Sequence, residues 1–383
     1  MTKWGAYMKI AMIGHKRIPG RNGGVEAVVE DLSTRMVEKG HNVTVYNRNC
    51  GEEKLREYKG VKIAEVRTFR NSSLNAMVYS LFATLRCVFK RYDVVHFHAE
   101  GSCAMLPLAR LFKKKTVATI HGLDWQRNKW GGFASKYILF GEKMAAKYAD
   151  QIIVLSENVK NYFKEKYDRE TIFVPNGINP VTFEGPDEIS KKFGLEKDGY
   201  ILFLARITPE KGLDYLIDAY KKLNTDKKLV IAGAIEPKTD YINSVLQKAQ
   251  GFDNIIFTGF VSGKTLSALF TNCYIYVLPS DIEGMPMSLL EAIGYDARVI
   301  VSDIHENIAC LDGYGNSFEK GNVDSLKEIL EFCLENPELK SSDFKKECSE
   351  EQTKAKRKEL ISKYDWDTIT DRTIEIYQSL NKK

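Results

Sequence analysis

The sequence predicts an α/β protein with two doubly wound domains, each built on a parallel sheet. Short apolar runs that predict buried strands alternate with segments whose apolar residues recur at helical spacing. This alternation is typical of parallel sheets with helices on both faces. It occurs twice, and a turn at residues 174–177 and a charged interval at residues 184–198 separate the two series. The 383 residues suffice for two domains, which we place over residues 1–178 and 179–365.

The first series opens with a βαβ unit. Its strands are predicted at residues 9–14 and 42–46, and the helix between them follows Gly23 and Gly24, which let a ligand approach the backbone closely. The loop lacks the G-x-G-x-x-G pattern and no acidic residue ends the second strand, which argues against a nicotinamide cofactor. The remaining elements are helices at residues 73–90 and 133–148 and strands at residues 93–97, 115–120 and 151–155.

The second series contains five strands and four helices. We predict strands at residues 200–205, 228–232, 254–258, 274–278 and 298–301, and helices at residues 213–223, 241–249, 264–270 and 286–293. From residue 323 to residue 363 the chain is predicted to be helical and heavily charged. A final helix then carries one apolar face, formed by Trp366, Ile369, Ile374, Tyr377 and Leu380, so we expect it to pack on another part of the protein.

Composition and cysteine usage predict a globular protein of the reducing cytoplasm. Hydrophobic residues make up 44% of the chain and charged residues 28%. No apolar run approaches the roughly 18 residues of a membrane span. The seven cysteines are scattered without a C-x-x-C pair, which argues against both a disulfide framework and a zinc site.

The net charge of +5 is unevenly distributed. Residues 1–178 contain 30 Lys and Arg against 17 Asp and Glu, whereas residues 179–383 contain 26 against 34. A basic domain favours an anionic partner such as a phosphorylated substrate or a membrane face, although dispersed lysines also occur simply as solvated charge. The sequence has no helix-turn-helix pattern and no repeat of basic and aromatic residues, so we expect no nucleic-acid partner.

Residues 274–292 predict an anion site in the second domain. A buried strand is followed by a loop with Glu283 and Gly284, and a helix is predicted to begin at Pro286, so free N–H groups near Met285 would face a phosphate. Glu291, eight residues after Glu283, would contact another part of the same ligand. The alternative is ordinary helix capping by Glu283 and a solvated Glu291.

A pair of cations follows the first strand of that domain. Arg206 and Lys211 flank a tight loop before a helix, where they offer charge-assisted hydrogen bonds to a diphosphate. Surface ion pairing of Lys211 with Glu210 or Asp214 is the alternative, and it leaves Arg206 unexplained.

In the first domain, polar residues follow the carboxyl ends of the predicted strands. They are His98 and Glu100 after one strand, residues 121–124 after the next, and Ser156 and Glu157 after a third. Ligands of open α/β sheets bind at this edge, so we expect a second binding site here.

Together these motifs resemble the family 4 glycosyltransferases of the GT-B class. Residues 17–26 and 121–130 also resemble a bacterial subgroup that includes rhamnosyltransferases of surface polysaccharide synthesis. The family resemblance covers nearly the whole chain and rests on three motifs, namely the R-x4-K spacing of Arg206 and Lys211, the E-x7-E spacing of Glu283 and Glu291, and Gly23-Gly24 before the first helix.

The resemblance implies an N-terminal acceptor domain and a C-terminal donor domain facing each other across a cleft. It implies that the final helix, residues 366–383, packs back on the first domain. Arg206 and Lys211 would hold the diphosphate of a nucleotide sugar, and the backbone at Gly23 and Gly24 would close over it. No cofactor is implied, since the nucleotide sugar is a substrate.

The resemblance also assigns the rest of the donor site. Glu291 would bind the ribose hydroxyls, and Glu283 would contact the transferred sugar together with the N–H groups of Gly284 and Met285. His121 would approach that sugar from the first domain. Two cations and a helix N-terminus would stabilise the leaving diphosphate, which we expect to be UDP or dTDP, without a metal.

The stereochemistry remains a choice between two outcomes. His121 is typical of retaining members of the wider family, whereas the rhamnosyltransferase-like subgroup would have an acidic residue there, so we favour retention. An inverting transfer needs a general base near the acceptor hydroxyl, for which Glu26, Glu100 and Asp124 are the candidates.

The basic first domain suits a saccharide acceptor carried on polyprenyl diphosphate at the inner face of an anionic membrane. Residues 113–115, Lys90-Arg91 and Lys16-Arg17 are the expected membrane contacts. Trp125 either shapes the acceptor site or serves as a packing anchor. The residues predicted to bind the acceptor are His98, Glu100, Asp124, Trp125 and Arg127.

Two other classes of protein share parts of this pattern. A nucleotide-sugar epimerase has its acid-base groups in one site and needs no acceptor. A non-catalytic nucleotide- or glycan-binding protein would tolerate loss of Glu283 or Lys211, yet both are present.

Overall fold

The chain divides into two compact units. The computed structural model describes residues 7–20, 23–69, 72–126, 132–337 and 350–381. The N-terminal unit comprises residues 1–177 and 364–383, and the C-terminal unit comprises residues 178–363. This division assigns residues 178, 364 and 365 differently from the boundaries predicted from the sequence.

The N-terminal unit contains an eight-stranded sheet. Its strands are β1 (Lys9–Ile13), β2 (Asn42–Asn49), β3 (Glu57–Tyr58), β4 (Val61–Arg67), β5 (Val94–His98), β6 (Thr116–Ile120), β7 (Gln151–Val154) and β8 (Ile172–Phe173). They are ordered β3-β4-β2-β1-β5-β6-β7-β8, and every neighbouring pair is parallel except β3 and β4. Strands β5 and β6 are buried along their whole length because helices cover both faces.

Helices cover this sheet on both faces. They are α1 (Gly24–Glu38), α2 (Ser72–Val88), α3 (Glu100–Cys103), α4 (Leu106–Leu111), α5 (Gly132–Tyr148) and α6 (Glu157–Tyr167). The two faces hold separate apolar clusters, one around Ile10 and Val29 and the other around Phe97 and Phe163. Helix α6 is highly charged and begins where the Ser156 hydroxyl accepts a hydrogen bond from the Val159 N–H at 3.2 Å.

The C-terminal unit contains a six-stranded, fully parallel sheet. Its strands are β9 (Tyr200–Leu204), β10 (Lys228–Ala232), β11 (Ile255–Gly259), β12 (Ile275–Leu278), β13 (Val299–Ser302) and β14 (Asn316–Phe318), ordered β11-β10-β9-β12-β13-β14. The order reverses between β9 and β12, and ligands of such sheets bind beyond the carboxyl ends of the strands at this switch point. The loops after β9 and β12 are therefore neighbours.

Eight helices accompany this sheet in the part of the C-terminal unit that is described. They are α7 (Asp187–Phe193), α8 (Leu213–Lys221), α9 (Asp240–Ala249), α10 (Gly263–Asn272), α11 (Met287–Gly294), α12 (His305–Leu311), α13 (Val323–Glu335) and α14 (Glu350–Ser362). The predicted α/β class with two parallel-sheet domains is confirmed.

The last helix, α15 (Trp366–Asn381), belongs to the N-terminal unit. Its apolar face is buried in the cluster that also contains Ile10 and Val29. The Asp365 carboxylate accepts a hydrogen bond from the Thr368 N–H at 2.8 Å, so Asp365 caps the helix. The Lys115 ammonium donates to the Leu380 carbonyl near the other end of the helix.

Candidate active site

Two loops of the C-terminal unit meet at the switch point of its sheet. The first follows β9 and contains a 3-10 turn, Pro209–Lys211, before α8. Gly212 has φ +62°, and a Cβ atom there would lie 2.0 Å from the Pro279 carbonyl oxygen in the loop after β12. Only glycine allows this approach. The Asp281 N–H also donates to the Glu210 carbonyl at 2.9 Å, so the two loops are joined through their backbones.

This junction brings together Lys211 and Glu283, two residues predicted to bind the donor. Their side chains form an ion pair between Nζ and Oε1, with side-chain exposures of 13% and 6%. The Ser280 hydroxyl donates to the same Glu283 oxygen at 2.7 Å. The carboxylate therefore has two donors at a position largely removed from water, where charge-assisted hydrogen bonds are strong.

A buried chain of hydrogen bonds holds the Glu283 loop. The Ser302 hydroxyl donates to the Ser280 carbonyl, and the Asn307 amide donates to the Ser302 hydroxyl at 3.0 Å. Ser280, Ser302 and Asn307 are all fully buried. Strand β13 and helix α12 thus fix the loop that presents Glu283.

The other predicted donor residues surround this pair. The Arg206 side chain is exposed, and no hydrogen bond or ion pair joins it to another residue in the described part of the chain. Gly284 and Pro286 are buried and Met285 is half-buried directly before α11, which begins one residue later than predicted. Glu291 is half-buried on α11 rather than fully solvated.

The sequence did not identify Glu210 as a buried group. Glu210 is 4% exposed, and neither carboxylate oxygen has a hydrogen-bond partner among the described residues. The sequence considered it only as an ion-pair partner of Lys211. Lys211 instead pairs with Glu283, and Asp214, the other partner considered, accepts a hydrogen bond from the Tyr241 hydroxyl at 2.8 Å.

In the N-terminal unit, the ends of β5 and β6 bring His98 and His121 together. His98 Nδ1 lies 3.2 Å from His121 Nε2, so one ring donates a hydrogen bond to the other. The His98 ring also stacks on His96 with centroids 4.0 Å apart. Burial, together with the neighbouring His96 and His121, holds the pKa of His98 well below its usual value, so the ring is neutral at pH 7.

Glu100 lies beside these histidines at the start of α3. It is fully buried, and one carboxyl oxygen accepts from the Asp124 N–H at 3.0 Å while the other has no partner among the described residues. Burial, and then the nearby Asp124 charge, raise the pKa of Glu100 well above its usual value. The structure thus brings together four predicted residues, His98, Glu100, His121 and Asp124.

Trp125 has a structural partner. Its indole Nε1–H donates to Glu142 at 3.0 Å, and the same buried carboxylate accepts from the hydroxyls of Tyr162 and Tyr167 and from the Lys166 ammonium. Because its indole N–H already has a partner, Trp125 fits the role of a packing anchor better than that of a free acceptor-binding group. Arg127, also predicted to bind the acceptor, lies outside the described residues.

The two glycines of the first loop lie at the start of α1. Gly23 is the extended residue before the helix, and Gly24 is its first residue. The Glu26 carboxylate folds back towards Gly23 and accepts a hydrogen bond from the Lys16 N–H at 2.9 Å. Glu26, a candidate base for an inverting reaction, is thus engaged by the backbone and largely buried.

A group of buried polar atoms nearby was missed by the sequence. His15 Nδ1, Arg48 Nε and the Tyr137 hydroxyl have no hydrogen-bond partner among the described residues. The predicted strand ended at Tyr46, but β2 continues to Asn49 and includes Arg48. The available signal in the sequence was Arg48 itself, a cation two residues after the apolar run that ends at Tyr46. Tyr137 is too distant in sequence to be associated with Arg48.

Two family models match the chain. One, described as Glycosyl transferases group 1, matches residues 186–358, and the other, Glycosyltransferase Family 4, matches residues 22–181. Together they leave out only residues 1–21, 182–185 and 359–383. The chain is a family 4, group 1 glycosyltransferase. This confirms the family that the spacing of the arginine, lysine and glutamate motifs predicts.

Several known proteins are similar to this glycosyltransferase over nearly its whole length. An uncharacterised glycosyltransferase of Methanocaldococcus jannaschii is 26% identical and covers 97% of this chain and 98% of its own. The alpha-monoglucosyldiacylglycerol synthase of Acholeplasma laidlawii is 24% identical and covers 98% and 100%. The crystal structure of HepE from Anabaena, solved in complex with UDP-glucose, matches with a TM-score of 0.79 at 17% identity, over 97% of this chain and all of that one. This last likeness confirms the GT-B fold.

The described residues of the glycosyltransferase contain neither a metal cluster nor a membrane span. No group of three or more His, Cys, Asp or Glu side chains in that part of the chain is arranged to hold a metal ion. None of its described helices is long and apolar enough to cross a membrane.

Proposed function

We propose that this glycosyltransferase moves a sugar from a UDP- or dTDP-sugar to a saccharide acceptor in the synthesis of cell-surface polysaccharide. The observation that carries the donor assignment is the convergence of Lys211 and Glu283 at the switch point of the C-terminal sheet. UDP-glucose bound to the structurally similar HepE supports a nucleotide sugar. The resemblance of residues 17–26 and 121–130 to enzymes of surface polysaccharide synthesis supports the pathway class.

In the proposed donor complex, the Lys211 ammonium and the exposed Arg206 guanidinium bind the diphosphate. The N–H groups of Gly284 and Met285 face the same anion directly before α11. As the bond between sugar and phosphate breaks, negative charge grows on the leaving nucleoside diphosphate, and two cations held in place stabilise it. Glu291 binds the ribose, and Glu283 accepts hydrogen bonds from the hydroxyls of the transferred sugar.

The reaction proposed is retaining and independent of a metal. The departing phosphate oxygen takes the proton of the acceptor hydroxyl, so no carboxylate nucleophile is required. His121, directly after β6, supports this choice, because a histidine at this position is typical of retaining members of the wider family. Inverting transfer of rhamnose, from the subgroup resemblance, is the competing outcome.

Product analysis tests the function. The protein is incubated with a panel of UDP- and dTDP-sugars, with and without saccharides linked to polyprenyl diphosphate, and the anomeric proton coupling of any product is measured by NMR. We expect release of nucleoside diphosphate and a product of retained configuration, only when acceptor is present. A change of the sugar without acceptor would indicate an epimerase, and an inverted product would contradict retention.

We also propose that the N-terminal unit contacts an anionic membrane that carries the acceptor. Support comes from an exposed patch, here called the Phe89 patch, in which two aromatic rings meet edge to face at 5.3 Å between centroids. Exposed apolar side chains beside lysines suit the interface of an anionic bilayer. The patch consists of Phe89, Lys90, Leu111, Phe112 and Lys113, all of them exposed.

Two of the contacts expected from the sequence have other partners. Arg17 pairs with Glu65 at 3.0 Å, and Lys115 donates to the Leu380 carbonyl. The Phe89 patch is therefore the surface to test, by co-sedimentation with vesicles of anionic or zwitterionic lipid. Phe89→Ser should weaken binding to anionic vesicles, and Phe332→Ser, at an exposed phenylalanine of the C-terminal unit, should not. Equal binding by both variants would contradict the assignment.

A further inference from the structure

Arg48 is a partly buried cation for which the described part of the chain supplies no carboxylate partner. It lies in β2, one residue before the end of the strand, and its guanidinium NH2 donates to the Gly14 carbonyl at 3.3 Å. The guanidinium stands over the Tyr79 ring with 4.8 Å between its central carbon and the ring centroid. Nε is buried and has no hydrogen-bond partner among the described residues.

Three other arginines of the N-terminal unit pair with carboxylates, whereas Arg86 and Arg169 donate to backbone carbonyls. Arg17 pairs with Glu65 at 3.0 Å, Arg35 with Asp31 at 3.1 Å, and Arg110 with Asp150 at 2.5 Å. Arg48 has a carbonyl and an aromatic face instead, which orient the guanidinium without cancelling its charge. Holding a cation in this state is unfavourable unless an anion completes its hydrogen bonds in the functional complex.

Two further polar groups with unused hydrogen-bonding capacity surround this cation. The Tyr137 hydroxyl is buried without a partner among the described residues, and so is His15 Nδ1, while His15 Nε2 bonds to Asn47 at 3.0 Å. Tyr137 and His15 are both close enough to Arg48 for their pKa values to respond to its charge. The Tyr137 O–H adds to the guanidinium as a donor for an oxyanion, whereas His15 Nδ1 is an acceptor, because the Nε2–H of that ring donates to Asn47 Oδ1.

The Arg48 group adjoins the residues at the end of β5. Gly14, whose carbonyl Arg48 contacts, lies so close to the His98 carbonyl that a Cβ atom on Gly14 would be 2.0 Å from it. The nearby carboxylate, Glu26, is engaged by the Lys16 N–H at 2.9 Å and makes no ion pair with Arg48. An anion at Arg48 would therefore neighbour the predicted acceptor residues of the same unit.

We propose that Arg48 binds an oxyanion carried by the acceptor, so that the acceptor is an anionic saccharide. This inference rests on the proposed function, which assigns the acceptor to the N-terminal unit. A phosphate of a polyprenyl diphosphate and the carboxylate of a uronic acid present the same chemistry to a guanidinium, namely two oxygens in a plane that a bidentate pair of N–H groups matches.

Titration calorimetry on the full-length protein tests the inference. Farnesyl diphosphate and methyl glucuronoside serve as the two anionic probes, and farnesol and methyl glucoside as their neutral counterparts. Saturating UDP is present so that the donor diphosphate site is occupied. Arg48→Gln removes the charge, Arg48→Lys keeps it without the bidentate geometry, and Arg67→Gln is the matched control.

Arg67 suits this control because it is exposed on the neighbouring strand β4. It pairs in register with Asn49, the residue after Arg48, so its side chain points to the opposite face of the sheet. Both Gln variants lose one positive charge, but only one of them changes the proposed site.

We expect at least one anionic probe to bind more tightly than its neutral counterpart. Arg48→Gln should weaken that binding at least tenfold, Arg48→Lys should weaken it less, and Arg67→Gln should leave it within twofold. The probe that binds distinguishes a lipid diphosphate from a uronate. Equal affinities of the Arg48→Gln variant and the unmodified protein, or equal affinities for charged and neutral probes, would overturn the inference.

A separate measurement of UDP binding distinguishes failure of the Arg48 inference from failure of the proposed function. Binding of UDP in the absence of probes reports the donor site alone, and Arg48→Gln should leave it unchanged. Tryptophan fluorescence, which follows the N-terminal unit, shows that the variant is folded. If UDP binds but Arg48→Gln does not change the affinity for the anionic probes, the Arg48 inference is rejected and the proposed function stays intact. Absence of UDP binding would reject the donor assignment, while the anion titration would still be read from the Arg48 variants.

Discussion

The Lys211 ammonium and the Glu283 carboxylate form an ion pair across two loops of the C-terminal unit, although the residues are 72 positions apart in sequence. Both were predicted to bind the donor, one its diphosphate and the other its sugar. Each charge neutralises the other at a position largely removed from water. A bound donor would then offer phosphate oxygens to Lys211 and sugar hydroxyls to Glu283.

The first prediction concerns stability. Lys211→Met leaves the Glu283 carboxylate buried with the Ser280 hydroxyl as its one remaining donor among the described residues, and loss of one partner of a buried pair costs about 3–5 kcal/mol. The double variant Lys211→Met, Glu283→Gln should recover much of this loss because no buried charge remains unpaired. The quantity measured is the free energy of unfolding in urea.

The distribution of tryptophans separates the two units in that experiment. All four tryptophans, at positions 4, 125, 130 and 366, lie in the N-terminal unit. Tryptophan fluorescence therefore follows that unit, whereas circular dichroism follows both. Lys211→Met should shift the circular dichroism transition and leave the fluorescence transition in place. A shift in fluorescence alone would contradict the role of the pair in the C-terminal unit.

The second prediction concerns Gly177 and Trp366. A Cβ atom at Gly177 would lie 2.4 Å from Trp366 Cδ2 and 2.9 Å from its Cα, so Gly177→Ala must displace α15. Trp366 is 2% exposed, and we expect Trp366→Ala to cost about 3–5 kcal/mol of N-terminal unit stability. Urea unfolding followed by tryptophan fluorescence measures Gly177→Ala, and circular dichroism measures Trp366→Ala. Gly24→Ala, in the same unit, is the control, since a Cβ atom there meets nothing within 4 Å.

The third prediction concerns acid. Burial lowers the pKa of His15 to about 4 and of His96 to about 3, and holds that of His98 well below its usual value. In the unfolded chain these rings bind a proton near pH 6.5. The unfolded state therefore binds more protons below that pH, and the stability of the N-terminal unit falls as the pH decreases.

Each such histidine contributes about 1.4 kcal/mol per pH unit between its two pKa values. Glu100 acts in the opposite direction, because its raised pKa lets the folded state bind a proton first. The N-terminal unit loses stability between pH 6 and pH 5, and we expect His98→Gln to reduce this loss by about the contribution of one histidine. Unfolding detected by fluorescence measures it. An unchanged pH slope in His98→Gln would mean that this ring is not held neutral in the fold.

The fourth prediction separates the two stereochemical outcomes through Glu100. Glu100→Gln keeps an oxygen to accept the Asp124 N–H and removes any possibility of a carboxylate base. For a retaining reaction we expect turnover within about tenfold of the unmodified enzyme, whereas loss of a general base lowers the rate by about 100- to 10,000-fold. Asp124→Asn provides the same comparison for the other acidic residue. A large rate loss in either variant, together with an inverted product, would overturn the retaining assignment.

The sequence predicted the elements with strong apolar periodicity and missed those without it. Strands β9 and β12 are apolar throughout because both of their faces are buried, so their positions were clear. Strand β4, which lies next to the edge strand β3, has no regular alternation of buried and exposed positions and carries three charged residues, which hides it. Helix α6 is so charged that its only local signal is the Ser156 cap.

The same limit applies to the site. Arg206, Lys211, Glu283 and Glu291 lie within short spacings that a sequence displays directly. The buried state of Glu100, the contact of Trp125 with Glu142 and the unneutralised Arg48 depend on residues tens of positions apart. Spacing therefore predicted which residues would bind a ligand, but not which of them pair with one another.

Donor binding tests the central claim most directly. The affinities of UDP-glucose and of the other UDP- and dTDP-sugars are measured by calorimetry for the unmodified protein, for Lys211→Ala, and for Lys222→Ala, which removes an exposed lysine of the same unit paired with Asp324. We predict that at least one nucleotide sugar binds, that Lys211→Ala weakens it at least tenfold, and that Lys222→Ala does not change it. Absence of binding across the panel, or equal affinity in the Lys211→Ala variant, would contradict the assignment of the donor site.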